Sequence, residues 1–343
     1  MLQYGIMTGG SISTMRAVTM FLIAMGARIT GRIYDMMTAL SVTAMMILLE
    51  SPAYLLDSGF LLSFGCVLGI GVAAEKICAL AGAEKKWMKA LVSSIALQLV
   101  TLPVMLKFFG EVSLAGFFLN LLVLPSVGFV LTGGMAALLL GIFCIPAAKL
   151  AILPARGLLL FYEYLCSLAG KLRWSTWIGG EPEIWQILVY YVFLITVLFM
   201  GQYIKEPMRR EQEAGMKSEL SSRDKRIPGK IQRKLRTVRA AAGALMITGI
   251  LILGFHPAGD LKVTCLDVGQ GDGIYLHTKE GTNFFFDGGS TDVSKVGTYR
   301  MLPFLKAKGV KKIDYWIVSH TDADHISGLK EILQAEYEIN HIV

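Results

Sequence analysis

From residue 14 to residue 204 the chain is a succession of apolar runs broken by short polar intervals. A helix needs about 20 mostly apolar residues to cross a bilayer. The runs predict spans at 14–30, 36–50, 59–80, 90–108, 113–143, 150–170 and 184–204, with one more at 239–255. The second and the last are short. The fifth is too long for one straight pass and carries Asn120, Pro125 and the pair Gly133-Gly134, so a broken or re-entrant helix is expected there.

After Leu261 the period changes. "LKVTCLDV", "IYLHT" and "TNFFFDGG" read as three short strands, the first two joined by the turn "GQGDG". "TYRMLPFLKAKG" reads as a helix closed by Gly309, and "IDYWIVS" as a strand with little alternation, hence one buried on both faces. "HISGLKEILQA" is the next helix and "INHIV" opens a further strand, giving the order β-β-β-α-β-α-β. The chain therefore divides into a polytopic membrane region at 1–204, a basic linker at 205–238, a last transmembrane helix at 239–255 and a sheet-containing domain at 257–343.

Composition agrees with a membrane part followed by a polar part. Charged residues make up 17% of the chain, against roughly 25% in soluble domains. Cys66, Cys78, Cys144, Cys166 and Cys265 have no pairing spacing and no CxxC, which argues against a thiolate zinc site. The opening "MLQYGIMTGGSIST" has no cleavable leader pattern and reads as the interior of a longer protein.

Charge then assigns sides. Arg28 and Arg32, then Lys85, Lys86 and Lys89, then Lys149, fall in alternate loops. The stretch 205–239 continues that alternation, with twelve Lys/Arg against five acids. The positive-inside rule puts these loops in the cytoplasm, provided 113–143 counts as one crossing. The intervening loops carry Asp57 and Glu111, with Trp174 and Trp177 as interfacial anchors and Lys171 and Arg173 as exceptions. Everything beyond Phe255 is then extracytoplasmic. The basic stretch reads as a solvated linker beside anionic lipid or as a site for a cytoplasmic partner.

The chemistry concentrates in "SHTDADH", residues 319–325, where a strand ends and a helix begins. His320, Asp322, Asp324 and His325 offer four metal donors within six positions, which helix capping by one acid does not account for. Imidazole and carboxylate suit zinc, manganese or iron, so donor type alone does not choose. A bound cation lowers the pKa of water and polarises a phosphoryl or carbonyl oxygen. Gly269, Gly271 and Gly273 precede a strand rather than a helix, which excludes a dinucleotide loop in favour of a hairpin turn. Asp267, Gln270 and Asp272 on that turn are candidates to project toward the metal loop.

"HTDADH" following "DGG" resembles the metallo-β-lactamase signature H-x-H-x-D-H, with Asp322 where the second histidine would stand. The substitution enriches the set in oxygen and makes manganese as credible as zinc, for one or two ions. Asp287 matches the family's upstream acid, which orients the ligand loop. More narrowly, "LDVGQGD", "FFFDGG" and "SHTDADHISGL", with "STMRAVTM" and "DSGFLLSFG" in the membrane half, resemble the ComEC competence family of DNA-uptake channels. Leu61 replaces a glutamine often found there.

The resemblance implies a multi-pass α-helical membrane bundle followed by the first half of an αββα metallo-β-lactamase-like domain, in a bacterial plasma (inner) membrane. It implies single-stranded DNA entry through the membrane and degradation of the non-imported strand outside, with Asp324 and Asp322 as catalytic acids. Its implied partners are single- or double-stranded DNA, membrane lipids, a receptor, a cytoplasmic motor and a second copy of the chain. The family's remaining ligands, a third histidine, a bridging aspartate and a further histidine, fall beyond Val343. His341 comes too early and lies in a strand. His256 reads as interfacial and His277 as a strand residue.

A DNA path needs polar or basic lining. Arg16, Gln98, Lys107 and Asn120 are the candidates within or beside spans. Arg16 and Lys107 could equally snorkel to an interface, and Gln98 and Asn120 bond between helices. Two other functions compete: a membrane-anchored metallo-hydrolase of small phosphodiesters, lipids or lactones without transport, and a non-catalytic DNA receptor.

Overall fold

The computed structural model describes residues 9–172, 174–217, 229–257 and 259–343. The opening stretch up to Thr8, Arg173, and Arg223, Lys225 and Arg226 of the basic stretch lie outside the described residues.

Helix α1 spans Ile12–Ile29 and α2 Met36–Glu50. Then α3, Ser58–Leu68, continues through a π turn, Gly69–Ala73, into α4, Ala74–Ala81. Two aspartates set helix starts: Asp35 accepts from Thr38 N at 2.7 Å and Asp57 from Phe60 N at 3.1 Å. Each satisfies an amide that has no partner inside the helix. Gly82, at φ +67°, ends α4 in the left-handed conformation.

Helix α5 is Lys86–Phe109, α6 Leu114–Phe143, α7 Ile145–Gly170, α8 Ile184–Lys217 and α9 Gly229–Leu253. Two short strands, β1 (Glu111–Ser113) and β2 (Thr176–Ile178), form a two-stranded sheet. The stretch 205–239 is therefore largely helical where described, since α8 runs past the apolar run and α9 begins before the next one.

Seven helices among the described residues are long and apolar enough to cross a membrane. The eighth expected span, 36–50, falls short. Its helix has 15 residues, about 22 Å at 1.5 Å per residue, against a hydrocarbon core of about 30 Å. The expected break in 113–143 is also absent, because α6 is one helix with Pro125 inside it. Ser126, next to that proline, donates to Leu122 O and shares a hydrogen bond with the Tyr162 hydroxyl of α7. Two turns further, Gly133 lies against Ala155. A neighbouring helix and a serine hydroxyl thus hold the proline turn in register.

The chain forms two compact units. One comprises residues 1–102, 113–177 and 193–245; the other comprises 103–112, 178–192 and 246–343. The second unit carries a five-stranded sheet in the order β3-β4-β5-β6-β7. Its strands are β3 (Lys262–Cys265), β4 (Gly273–His277), β5 (Asn283–Asp287), β6 (Ile313–Ile317) and β7 (Ile339–Ile342). The first three are antiparallel neighbours, with Tyr275 opposite Phe285. The last three run parallel, with Phe285 opposite Trp316.

Parallel pairs require crossovers. These are α10 (Leu302–Ala307), entered through a π turn at Gly297–Met301, and α11 (Ala323–Gln334). Both cover one face. Phe285 and Trp316 stack at 4.4 Å and are fully buried with Met301, Leu305 and Ile332.

The expectation that β6 is buried on both faces is corrected. Trp316 is fully buried, but Tyr315, pointing the other way, is 39% exposed. Period-two alternation puts Tyr315 on the sheet face away from the helices. There it stacks between Phe284 and His341, each at 5.1 Å. Aromatic bulk on both faces, not burial, removed the alternation from the sequence.

Candidate metal centre

The cluster sits where β5 and β6 end and α11 begins. In α11 the buried residues His325, Gly328, Leu329 and Ile332 fall at i, i+3, i+4 and i+7, one face of a helix. Packing that face on the sheet brings the His325 ring under the end of β5. There Asp287 adopts φ +55°, an uncommon value for a non-glycine residue.

Asp287 Oδ2 lies 3.2 Å from His325 Nδ1, and its Oδ1 accepts from Ser319 N at 2.7 Å and Ser319 Oγ at 2.9 Å. On the other edge of the ring, His325 Nε2 is 3.4 Å from Asp324 Oδ2. The His320 ring is 3.7 Å from that of His325, centroid to centroid. Asp272 reaches in from the β3–β4 turn, 4.0 Å from His325 Nδ1.

Two donor groups result: His320, Asp324 and His325, and Asp272, Asp287 and His325. Within each group the donor atoms lie within 4.8 Å of one another. Imidazole and carboxylate in threes are a donor set that a first-row divalent cation accepts. With Nδ1–H donated to Asp287, the Nε2 lone pair of His325 faces Asp324 and His320, the carboxylate–imidazole–metal arrangement. The residues therefore fit a divalent cation, and zinc or manganese satisfies the donors equally.

Asp322 belongs to neither group. It occupies the N-cap position of α11 without a side-chain cap, its carboxylate 3.6 Å from His320 Nε2. Capping therefore does not consume this acid, and it remains an exposed donor beside His320. Of the other turn residues, Asp267 pairs with Arg300 at 3.0 Å, and the Gln270 side chain bonds Thr291. They brace the loop without reaching the donors. His341 stacks on Tyr315, and His277 bonds Asn283 at 2.9 Å.

Ser319 was not singled out in the sequence. Its hydroxyl touches both Asp287 oxygens, His320 Nδ1 at 3.0 Å and His325 Nδ1 at 3.3 Å. A serine directly before a histidine-rich loop is a weak signal, because its partners come from three separate segments.

The glycines make the convergence possible. A Cβ on Gly289 would fall 2.5 Å from Ala323 O and His325 N. One on Gly271, at φ +156°, would fall 2.3 Å from Gly289 O and 2.5 Å from Asp324 O. Asp272 N bonds Asp324 O at 3.4 Å, and Gly289 N bonds Asp272 O at 3.3 Å. Three backbones meet there with no room for a side chain, which lets the Asp272, Asp287 and Asp324 carboxylates share one ring.

Electrostatics follow the crowding. Burial of the His325 ring works to lower its pKa, but the carboxylates of Asp287, Asp324 and Asp272 outweigh it and hold the imidazole above its ordinary value. Burial of Asp287 works to raise its pKa, but hydrogen bonds from Ser319 and His325 hold the carboxyl below the usual range.

The signs predict a pH window for the metal-free chain. The raised histidine stabilises below its unfolded pKa and loses that contribution as pH rises through the folded one. The lowered aspartate stabilises above its unfolded pKa and loses that contribution as pH falls through the folded one. The unfolding free-energy difference between wild type and His325→Gln should be largest between about pH 4 and 6.5. A difference that stays flat from pH 3 to 9 would refute the pair. Metal must displace the proton, so apparent affinity should fall about tenfold per unit below the raised histidine pKa.

The four lining candidates occupy separate surroundings. Arg16 Nε donates to Ser63 Oγ of α3. Lys107 pairs with Glu181. Gln98 borders an apolar groove with Phe117, Phe118 and Trp174, and Asn120 is exposed on α6.

A family model described as "Competence protein" matches residues 1–203, and one described as "Metallo-beta-lactamase superfamily" matches residues 267–338. The chain is 22% identical over 365 residues to ComE operon protein 3 of Bacillus subtilis (strain 168), covering 99% of this chain and 42% of that protein. It is 32% identical over 76 residues to Competence protein ComA of Neisseria gonorrhoeae, covering 22% of this chain and 10% of that protein. The chain thus spans about two fifths of the length of the first relative and a tenth of the second is matched. No solved structure matches.

Proposed function

The chain belongs to the competence protein family, and from that premise we propose that it serves DNA uptake in natural transformation, with a metal-dependent, nuclease-like domain acting on the strand that is not imported. The observation that carries this reading is the pairing, in one chain, of seven membrane-length helices with a carboxylate–imidazole cluster at a helix N-terminus. A membrane anchor needs one such helix. A translocation route needs several.

A divalent cation held at the cluster would polarise a phosphoryl oxygen and offset charge developing there. The chain's own residues do the rest. His320, Asp324 and His325 would hold the cation. Asp287 and Ser319 fix the His325 ring so that Nε2 points to it. The exposed carboxylates of Asp322 and Asp272 flank the cluster, 3.6 Å from His320 Nε2 and 4.0 Å from His325 Nδ1. The N-terminus of α11 favours an anion.

In this reading the membrane is the bacterial inner membrane. The basic stretch 205–239 lies inside and the metal domain outside, where it meets incoming DNA. A surface receptor, a cytoplasmic motor and a second copy of the chain are the partners it implies. Residues 1–204, 205–238, 239–255 and 257–343 are its working divisions.

The test uses the full-length protein. Alanine at His320 or Asp324 should abolish metal-dependent cleavage of an oligonucleotide and leave membrane insertion intact. Reporter fusions should place Asp322 and Arg226 on opposite sides. Unchanged cleavage removes the catalytic assignment, and both reporters on one side overturns the topology. Cleavage of small phosphodiesters with no DNA uptake in a competent host would favour an anchored hydrolase. Uptake that survives Asp324→Ala with His325→Ala would favour a receptor.

A further inference from the structure

The metal-bearing domain does not hang only from residues 254–261. Glu181 N donates to Ala307 O at 2.7 Å. A Cβ on Gly110 would lie 2.5 Å from the Lys306 carbonyl carbon and oxygen, so those two backbones touch. Lys306 Nζ meets Glu111 Oε1 at 2.6 Å, with both side chains only about a quarter exposed. A Cβ on Gly180 would lie 3.1 Å from Gly309 Cα, and His256 Nε2 lies 3.2 Å from Glu181 O. Lys107 pairs with the Glu181 carboxylate. All these residues belong to one compact unit.

The contact joins the corner between α10 and β6 to the end of α5 and to the segment entering α8. Gly110 and Gly180 have φ of +67° and +75°. Two positive-φ glycines beside two glutamates, on segments far apart in sequence, make the same kind of knuckle. Each presents bare backbone to the domain and a carboxylate to a lysine. Close backbone approach needs glycine, and a half-buried lysine needs its acid.

The contact also sets where the metal cluster stands. Strand β6 starts just after Gly309 and ends just before Ser319. Its five residues span about 16 Å, so the cluster stands about one strand length from the contact. Left free, a tether of eight residues at 254–261 would let the domain wander by about 16 Å, as far as β6 is long.

We propose that Gly110–Glu111 and Gly180–Glu181 form a seat that holds the metal-bearing domain at a fixed standoff from the helix ends, and that Lys306 is the positioning residue that locks it there. The consequence for DNA rests on the uptake reading above; the seat does not. A strand cut at a wandering site is not cut in step with its partner's entry. A seated site meets the incoming duplex at one distance.

The experiment uses the full-length chain in lipid vesicles with added manganese or zinc, and the same variants in a competent host. Lys306→Glu should raise hydrogen exchange in segments 178–183 and 305–311 by about tenfold or more. It should lower uptake of labelled DNA by at least about tenfold, while cleavage of a short single-stranded oligonucleotide stays within about twofold. Adding Glu111→Lys should restore both exchange protection and uptake, which a merely misfolded variant would not allow. Lys306→Gln should show the same direction with no reversed charge.

Unchanged exchange in Lys306→Glu overturns the seat. A swap that restores no exchange protection overturns the Lys306–Glu111 lock, and raised exchange with normal uptake overturns the consequence drawn for DNA. If wild type neither cleaves nor imports DNA, the uptake reading falls while the exchange arm still decides the seat.

Discussion

Replacing His325 by alanine should remove divalent-metal binding, with affinity falling by at least about a hundredfold. This ring belongs to both donor groups, offering Nε2 toward Asp324 and His320 while Nδ1–H holds it on Asp287. Asp324→Ala removes a donor on the Nε2 edge and should weaken binding strongly, whereas Asp272→Ala, on the Nδ1 edge, should weaken it less. His325→Ala also strips Asp287 of a partner, leaving a carboxylate that is 13% exposed on Ser319 alone. Metal content and competition with a chromophoric chelator measure the loss. Wild-type affinity in His325→Ala would show that metal binds elsewhere or not at all. A loss from Asp272→Ala as large as that from His325→Ala would show that the Nδ1 edge ligates as well.

The second large effect is expected from a methyl group. Gly289→Ala places a Cβ 2.5 Å from Ala323 O, Asp324 C and His325 N, all backbone of the α11 entry. No side-chain rotation relieves such contacts, so the helix start must shift. The cost should be about 2–4 kcal/mol, and metal affinity should fall with it, because donors moved by about 1 Å no longer converge. Gly281→Ala is the control. Gly281 has a positive φ of +87° but nothing within 4 Å of its Cβ, so it should lose stability without losing metal. Thermal unfolding with and without metal separates the two. Normal metal affinity in Gly289→Ala would mean that the turn packs the helix without aligning the ligands.

Much of the fold was readable along the chain because its signals are local. Runs of apolar residues announce spans, and every strand and helix after Leu261 lies where pattern and turn residues put it. Span 36–50 fell short by its own length, and the other two misreadings share one cause. The helical continuity of α6 depends on Ser126 and Tyr162 holding a proline turn from outside the run. The one-sided burial of β6 depends on what covers each face of the sheet. A lone run cannot report what its neighbours supply.

The metal cluster divides in the same way. His320, Asp324 and His325 lie within six residues, so their grouping was visible before any folding was considered. Asp272 and Asp287 were candidates whose distances to His325 only the fold could give. Ser319 and the clearance roles of Gly271 and Gly289 were hidden altogether, since each acts through segments 30 or more residues apart or through space left empty.

By itself, then, the sequence determined which stretches are apolar enough to cross a membrane and which short loop carries the donors. Both are properties of neighbouring residues. Tertiary structure alone decided which nitrogen of His325 faces which carboxylate, and that Lys306 meets Glu111 across 195 positions of chain. Those relations come from the packing of distant segments, and packing distances are not encoded in sequence spacing.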